Sequence, residues 1–250
     1  MTVYLAEFVG TAILILLGGG VVAGVSLSKS KALGGGWIVV TLGWGMAVAV
    51  AVYTVGTVSG AHINPAVTLG LASIGEFDWG LVPGYMAAQL AGAFVGAVLV
   101  YLVYFAHWKE TDDPGAKLAV FSTSPAVRNP IANIVTEVVG TAMLVLGVLG
   151  IGANSGHVTQ GDADLSALFS TGIAPLLVGL LVLGIGLSLG GPTGYAINPA
   201  RDLGPRLAHA VLPIPGKGSS DWGYAWIPVV APLVGGVMGA WIWKLTGFGG

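Results

Sequence analysis

Ser59-Gly60-Ala61-His62-Ile63-Asn64-Pro65-Ala66 and Thr193-Gly194-Tyr195-Ala196-Ile197-Asn198-Pro199-Ala200 are two copies of one pattern. Asn is a preferred helix N-cap, because its side-chain oxygen accepts from an unpaired backbone N–H. Pro is favoured at the first helical position, because it has no N–H to satisfy. Each copy therefore reads as a glycine-containing turn that ends at a helix start. The apolar segments that follow, Asn64 to Ile74 and Asn198 to Val211, are too short to cross a bilayer core of about 30 Å. At about 1.5 Å per residue each reaches roughly half way. One such start can be an ordinary cap in a soluble protein, whereas two at matching places in a repeated chain point to re-entrant half-helices.

The repetition extends outward. Glu7-Phe8-Val9-Gly10-Thr11-Ala12 recurs as Glu137-Val138-Val139-Gly140-Thr141-Ala142, and Gly92-Ala93-Phe94-Val95-Gly96-Ala97 as Gly235-Gly236-Val237-Met238-Gly239-Ala240, in the same order. Apolar windows long enough to span, roughly 20 helical residues, run over Val3 to Val25, Trp37 to Val58, Leu81 to Ala106, Ile131 to Ile151, Leu165 to Leu189 and Tyr224 to Leu245. Three spans per half is an odd number, so the second half must lie upside down relative to the first, about a pseudo-twofold axis in the membrane plane. The expected fold is an all-α membrane protein: six transmembrane helices plus two re-entrant half-helices in an inverted repeat. Residues 1–250 form one domain, with repeats over about 1–110 and 131–250.

Composition agrees. The chain is 55% hydrophobic and 8% charged, against roughly 25% charged residues in soluble domains, and its mean hydropathy is +0.88. The 42 glycines suit close helix contacts in lipid, and Gly92, Gly96, Gly235 and Gly239 are expected to make them. No cysteine is present, which excludes disulfides, thiolate metal sites and cysteine nucleophiles, and the net charge of -2 suggests no nucleic-acid partner. The first window is too long for a signal-peptide core and lacks a preceding Lys or Arg, so it reads as a retained span. The longer connections are Ser26 to Gly36, His107 to Pro130, Gly152 to Asp164 and Leu212 to Trp222; the second is expected to fold over one mouth.

A helix N-terminus carries roughly half a positive charge, so two half-helices meeting head to head repel cations at the membrane midplane. With the oxygens of Asn64 and Asn198 engaged in capping, their amide N–H groups are left to donate to a passing oxygen, which interrupts a water wire. The non-helical stretches Gly60, Ala61, His62, Ile63 and Gly194, Tyr195, Ala196, Ile197 would supply backbone carbonyls as acceptors, tolerable at membrane depth only beside a wet cavity. The spans, half-helices and paired Asn-Pro-Ala signatures resemble the aquaporin and glycerol-facilitator family, over nearly the whole chain.

That resemblance implies a passive channel with one pore per subunit, and a constriction formed by Trp44, Gly186, Tyr195 and Arg201. These lie twenty and twelve residues before Asn64 and Asn198, and three before and three after Asn198, respectively. Arg201 shares a helix face with Asn198, and an arginine at membrane depth costs at least about 2.5 kcal/mol; the alternative is that it snorkels to a headgroup. Taken singly, Trp44 reads as packing or lipid-facing and Gly186 as helix contact. Water-selective members usually have a histidine where Gly186 stands and a phenylalanine where Trp44 stands, so glycine implies a wider gap. Glycerol facilitators follow the arginine with aspartate, as Asp202 does here, and tend to carry phenylalanine where this chain has Tyr195. The implied permeants are glycerol, water and other small uncharged solutes such as dihydroxyacetone, urea and undissociated lactic acid, with protons and ions excluded.

His62 reads either as a buried structural histidine or as a pore-wall residue. Glu7 and Glu137 are intramembrane acids at equivalent places, and the resemblance implies that they hydrogen-bond the re-entrant loops; Asp202 is expected to brace the loop carrying Arg201. No cofactor or metal is implied. The resemblance also implies a homotetramer in the lipid bilayer, in the cell membrane, with cytoplasmic termini. The positive-inside rule opposes that orientation, since Lys29, Lys31, Lys109, Lys117, Arg128 and Lys217 fall on the side away from the termini and only Lys244 on theirs. The competing readings are a proton-coupled secondary transporter of a small polyol or organic acid, which inverted repeats with broken helices also describe, and, more distantly, a membrane enzyme.

Overall fold

Lipid offers a backbone no hydrogen-bond partners, so apolar runs of this length fold as helices that satisfy themselves. The computed structural model describes residues 2–155, 158–160 and 163–248. Met1, Gly249 and Gly250, and Gly156, His157, Gly161 and Asp162 of the expected Gly152 to Asp164 connection, lie outside the described residues. Six helices are long and apolar enough to span a membrane: α1 (Val3–Ser26), α2 (Gly36–Ser59), α4 (Val82–Val103), α6 (Pro130–Asn154), the segment Ser166–Leu189 and α10 (Ile227–Thr246). Between them lie the half-length helices α3 (Pro65–Ile74) and α9 (Pro199–Val211), and a short surface helix, α5 (Pro114–Ala119).

The segment Ser166–Leu189 is not uniform. A single turn, α7 (Ser166–Leu168), passes through a π turn over Phe169–Ile173 into α8 (Ala174–Leu189). Pro175 in the first turn of α8 has no N–H for the preceding turn, and a widened turn is one way for a helix to absorb that defect. The Tyr53 hydroxyl donates to the Gly172 carbonyl there, at 2.6 Å. The third span, α4, ends sooner than its apolar window, at Val103, and a 3₁₀ turn over Phe105–Glu110 follows. The two-residue strands β1 (Thr159–Gln160) and β2 (Ala163–Asp164) pair antiparallel, a small element beside the helices.

The two halves pack alike. Helix α4 lies on α1 and α10 on α6, while the half-helices cross over, α3 resting on α10 and α9 on α4. Glycine sets these distances. A Cβ built on Gly92 or Gly96 would come within 2.2 Å of the Phe8 carbonyl or 2.6 Å of that of Ala12; on Gly235 or Gly239 it would come within 2.4 Å of those of Val138 and Ala142. The four contacts repeat residue for residue between the halves.

Basic residues on the side away from the termini are engaged in tertiary contacts. Lys29 pairs with Glu110, Arg128 reaches both carboxylate oxygens of Asp221, and Lys117 donates to the Pro215 carbonyl. Lys217 donates to the His209, Ala210 and Leu212 carbonyls at 2.7 Å each, capping the C-terminal end of α9. Four of the six basic residues counted on that side, Lys29, Lys117, Arg128 and Lys217, thus have a folding role besides any in orientation.

Gly92→Val is expected to lower stability in detergent by about 1–3 kcal/mol, the usual range for overpacking. Gly20→Ala, inside α1 where nothing lies within 4 Å of the new Cβ, should hold or slightly raise the unfolding midpoint, since alanine favours helix over glycine by up to about 1 kcal/mol.

Candidate functional site

Asn64 and Asn198 adopt extended backbone, at φ −159° and −158°, and each Oδ1 accepts from the second residue beyond, Ala66 N at 2.9 Å and Ala200 N at 3.0 Å. Asn198 Oδ1 also accepts from Arg201 N at 3.1 Å. The amides then cross between the halves: Asn64 Nδ2 donates to the Ile197 carbonyl and Asn198 Nδ2 to the Ile63 carbonyl, both at 2.8 Å. One hydrogen of each amide is therefore used inside the protein and one remains, where the sequence alone left both free.

The turns before the asparagines are strained. Ala61, Ile63, Tyr195 and Ile197 sit at φ 49°, 44°, 40° and 42°, a left-handed region that β-branched residues seldom enter, at a cost of about 1–3 kcal/mol each. Buried carboxylates hold them there. Glu7 accepts from the backbone N–H of His62 (3.0 Å) and Ile63 (2.7 Å), from the Ser59 hydroxyl and from Gln89 Nε2. Glu137 accepts from Ala196 N (2.9 Å), Ile197 N (2.8 Å) and the Thr193 hydroxyl.

In a trans peptide the N–H and the preceding C=O point in opposite directions. N–H groups of residues 62, 63, 196 and 197 aimed at the carboxylates thus turn the carbonyls of Ala61, His62, Tyr195 and Ala196 the other way. Gly60 and Gly194 follow the same logic, since the next N–H bonds Ser59 Oγ and Thr193 Oγ1. Among the described residues no protein donor reaches any of these six carbonyls, while those of Ile63 and Ile197 serve the asparagines.

An inner cavity of about 180 Å³ is lined by Gly60 to Asn64 of the first loop and Tyr195 to Asn198 of the second, opposite apolar residues that include Val48, Leu144 and Val182. An outer cavity of about 350 Å³ is lined by Trp37, Gly194 and the connector residues Ala119, Ser122, Thr123 and Ser124. Both share Trp44, Tyr195 and Arg201, which therefore stand at the junction. The Arg201 guanidinium lies 3.9 Å from the Trp44 ring centroid and is 7% exposed. Among the described residues it has no carboxylate or hydrogen-bond acceptor, so its donors are open to whatever enters.

Gly186 stands behind the Tyr195 ring, at the edge of the junction. It lines neither cavity; a Cβ there would fall 2.8 Å from Tyr195 Cζ. The expected gap is filled by the phenol of Tyr195, with the Gly186 carbonyl accepting from Trp37 Nε1 at 3.0 Å. Asp202 lies with Arg201 in the first turn of α9, not on a loop, and its bonds run to the connector. Its Oδ2 accepts from Thr123 N and Oγ1 at 2.7 Å each, and its Oδ1 from Arg206 Nε at 2.8 Å. Arg206 also donates to the carbonyls of Thr123 and Ser220, fastening the outer connector to α9. His62 lines the inner cavity, its Nδ1 3.0 Å from Thr68 Oγ1. Gln89, a lone amide in the third apolar window, carried a signal as an intramembrane polar residue; Arg206 carried one as the i+4 partner of Asp202.

Residues 1–243 match the family model described as major intrinsic protein. The chain belongs to that family. Among relatives, a protein of Thermotoga maritima described as a probable glycerol uptake facilitator protein is 64% identical over 96% of this chain and 97% of its own. The glycerol uptake facilitator protein of Bacillus subtilis is 57% identical over 96% of this chain and 82% of its own. The X-ray structure of the aquaglyceroporin from Plasmodium falciparum superposes with a TM-score of 0.80 at 34% identity, covering 96% of this chain and 94% of that one.

Asp202→Ala strands the buried Arg206 guanidinium, 0% exposed, and is expected to cost about 3–5 kcal/mol. Adding Arg206→Met should recover part of that loss in detergent unfolding; a single mutant as stable as the parent would contradict the bracing role.

Proposed function

We propose that this major intrinsic protein conducts glycerol, other small uncharged solutes and water passively along a lumen inside one protomer, and excludes ions and protons. The observation that carries this is the junction itself: an unpaired guanidinium against an indole face, with a second aromatic ring beside it. A polyol offers such a slot hydroxyl oxygens for Arg201 and a carbon backbone for Trp44 and Tyr195, and the names borne by the relatives agree. Cations are refused by the same groups, since Arg201 and two helix N-termini present positive charge, and an ion of either sign loses hydration that the apolar wall does not replace.

Proton-coupled transport is disfavoured by the carboxylates. Glu7 and Glu137 line neither cavity and are engaged as acceptors, and among the described residues no carboxylate lines either cavity to carry a proton. The same reading includes a homotetramer with one lumen per subunit, seated in the cell membrane with cytoplasmic termini; native mass spectrometry and protease accessibility in vesicles would test both.

In proteoliposomes, glycerol is expected to equilibrate down its gradient in either direction and not to accumulate when a proton gradient is imposed. Uphill accumulation would refute the channel. Gly186→His drives a side chain into the Tyr195 ring and moves it into the junction, so glycerol flux should fall about tenfold, equivalent to about 1.4 kcal/mol of barrier, with water flux largely kept. Arg201→Val should admit cations that the parent rejects; an equally tight mutant would assign rejection to the helix ends alone.

A further inference from the structure

Four donors converge on Glu7: the hydroxyl of Ser59, the backbone N–H of His62 and Ile63, and Nε2 of Gln89. A carboxyl group meeting donors at both oxygens acts only as an acceptor. That fixes which end of the Gln89 amide faces it, because the oxygen of Gln89 would oppose the carboxylate. The nitrogen of Gln89 has two hydrogens, and the second goes to Thr68 Oγ1 at 3.0 Å. Thr68 Oγ1 in turn lies 3.1 Å from the Asn64 carbonyl, an acceptor, and 3.0 Å from His62 Nδ1.

A hydroxyl has one proton and two lone pairs. If Thr68 donates to Asn64 and accepts from both Gln89 and His62, all three of its positions are filled. If it donates to His62 instead, the bond to Asn64 is lost and one lone pair is left idle. The first arrangement makes one more hydrogen bond, and it requires a proton on Nδ1 of His62.

We propose that Glu7, acting through Gln89 and Thr68, holds His62 as the neutral Nδ1–H tautomer, so that its Nε2 is a fixed hydrogen-bond acceptor in the inner cavity. Among the described residues Nε2 has no protein partner, and a Cβ on Gly60 would lie 3.9 Å from it. The ring is held by edge contacts with Phe77 (4.6 Å between centroids) and by Tyr85 (5.1 Å). The inner cavity then has a side-chain acceptor beside the donors Asn64 and Asn198, and a solute whose oxygens take bonds from the asparagines can give its own O–H to His62. The device belongs to one half only. At the matching distances from Asn198 stand Ala196 and Asp202, and Glu137 has no glutamine donor among the described residues. Gln89 and Thr68 are positioning residues, selecting by hydrogen-bond direction solutes that carry hydroxyl donors.

This role of His62 in permeation rests on the conduction reading above, whereas its tautomer can be read without flux. Protein labelled with ¹⁵N-histidine and reconstituted in bilayers is examined by solid-state NMR, the His62 signals being assigned by their loss in His62→Phe. A protonated Nδ1 and bare Nε2 are expected. A protonated Nε2, or a doubly protonated ring, in a sample that conducts glycerol overturns this inference and leaves the channel standing. No glycerol conduction refutes the channel, and with it the acceptor's role. Thr68→Val should shift the proton to Nε2 and cut glycerol flux about fivefold, the factor matching one net hydrogen bond, while Thr68→Ser keeps both parent properties. A Val variant that retains the Nδ1–H form overturns the relay; should that variant fail to fold, the parent spectrum alone decides.

Discussion

Two reciprocal hydrogen bonds hold the molecule's centre: the amide of each capping asparagine to the isoleucine carbonyl before the other. They are the point where the two halves meet, and they fix the separation and facing of two helix ends that repel each other electrostatically. Each end carries roughly half a positive charge, so bringing them together needs compensation. The crossed bonds supply part of it. The carboxylates of Glu7 and Glu137 supply the rest, by pinning loops that would otherwise leave the left-handed region.

The same constraint produces the chemistry of the passage. Loops whose N–H groups are taken by buried acids have carbonyls directed elsewhere, into space bordered on the opposite side by valines and leucines. One wall then accepts hydrogen bonds, the facing wall offers none, and the centre donates. Arg201 adds a cation whose neighbour Asp202 is already committed to Thr123 and Arg206. A neutral molecule with hydroxyls finds partners along this path, whereas a cation meets only positive ends at its centre and loses its hydration on entry.

How much of this can be read from the chain depends on what leaves a trace in side-chain identity. Six spans, their inversion and the half-helices follow from apolar length and from the repeated Asn-Pro-Ala, because helix caps and bilayer thickness act on local sequence. The clamps were implied by the family resemblance and by the repeat, in which Glu7 and Glu137 hold equivalent places and Ser59 and Thr193 each stand five residues before an Asn-Pro-Ala. The crossed bonds were not, because their acceptors are backbone carbonyls, which every residue possesses. Gly186 was placed near the junction by the resemblance, and the contact of its Cα face with the Tyr195 ring shows what takes up the space that a glycine leaves. The π turn and the pairing of Arg206 with Thr123 lay beyond spacing, since each depends on which helices end up side by side.

The most direct test is a near-atomic density map of the protein in lipid nanodiscs with glycerol present. It is expected to show Asn64 and Asn198 each bonded to the other half's isoleucine carbonyl, with solute oxygens within hydrogen-bond distance of both amides in a continuous passage. Asparagines standing apart, or packed dry with no solute beside them, would contradict it.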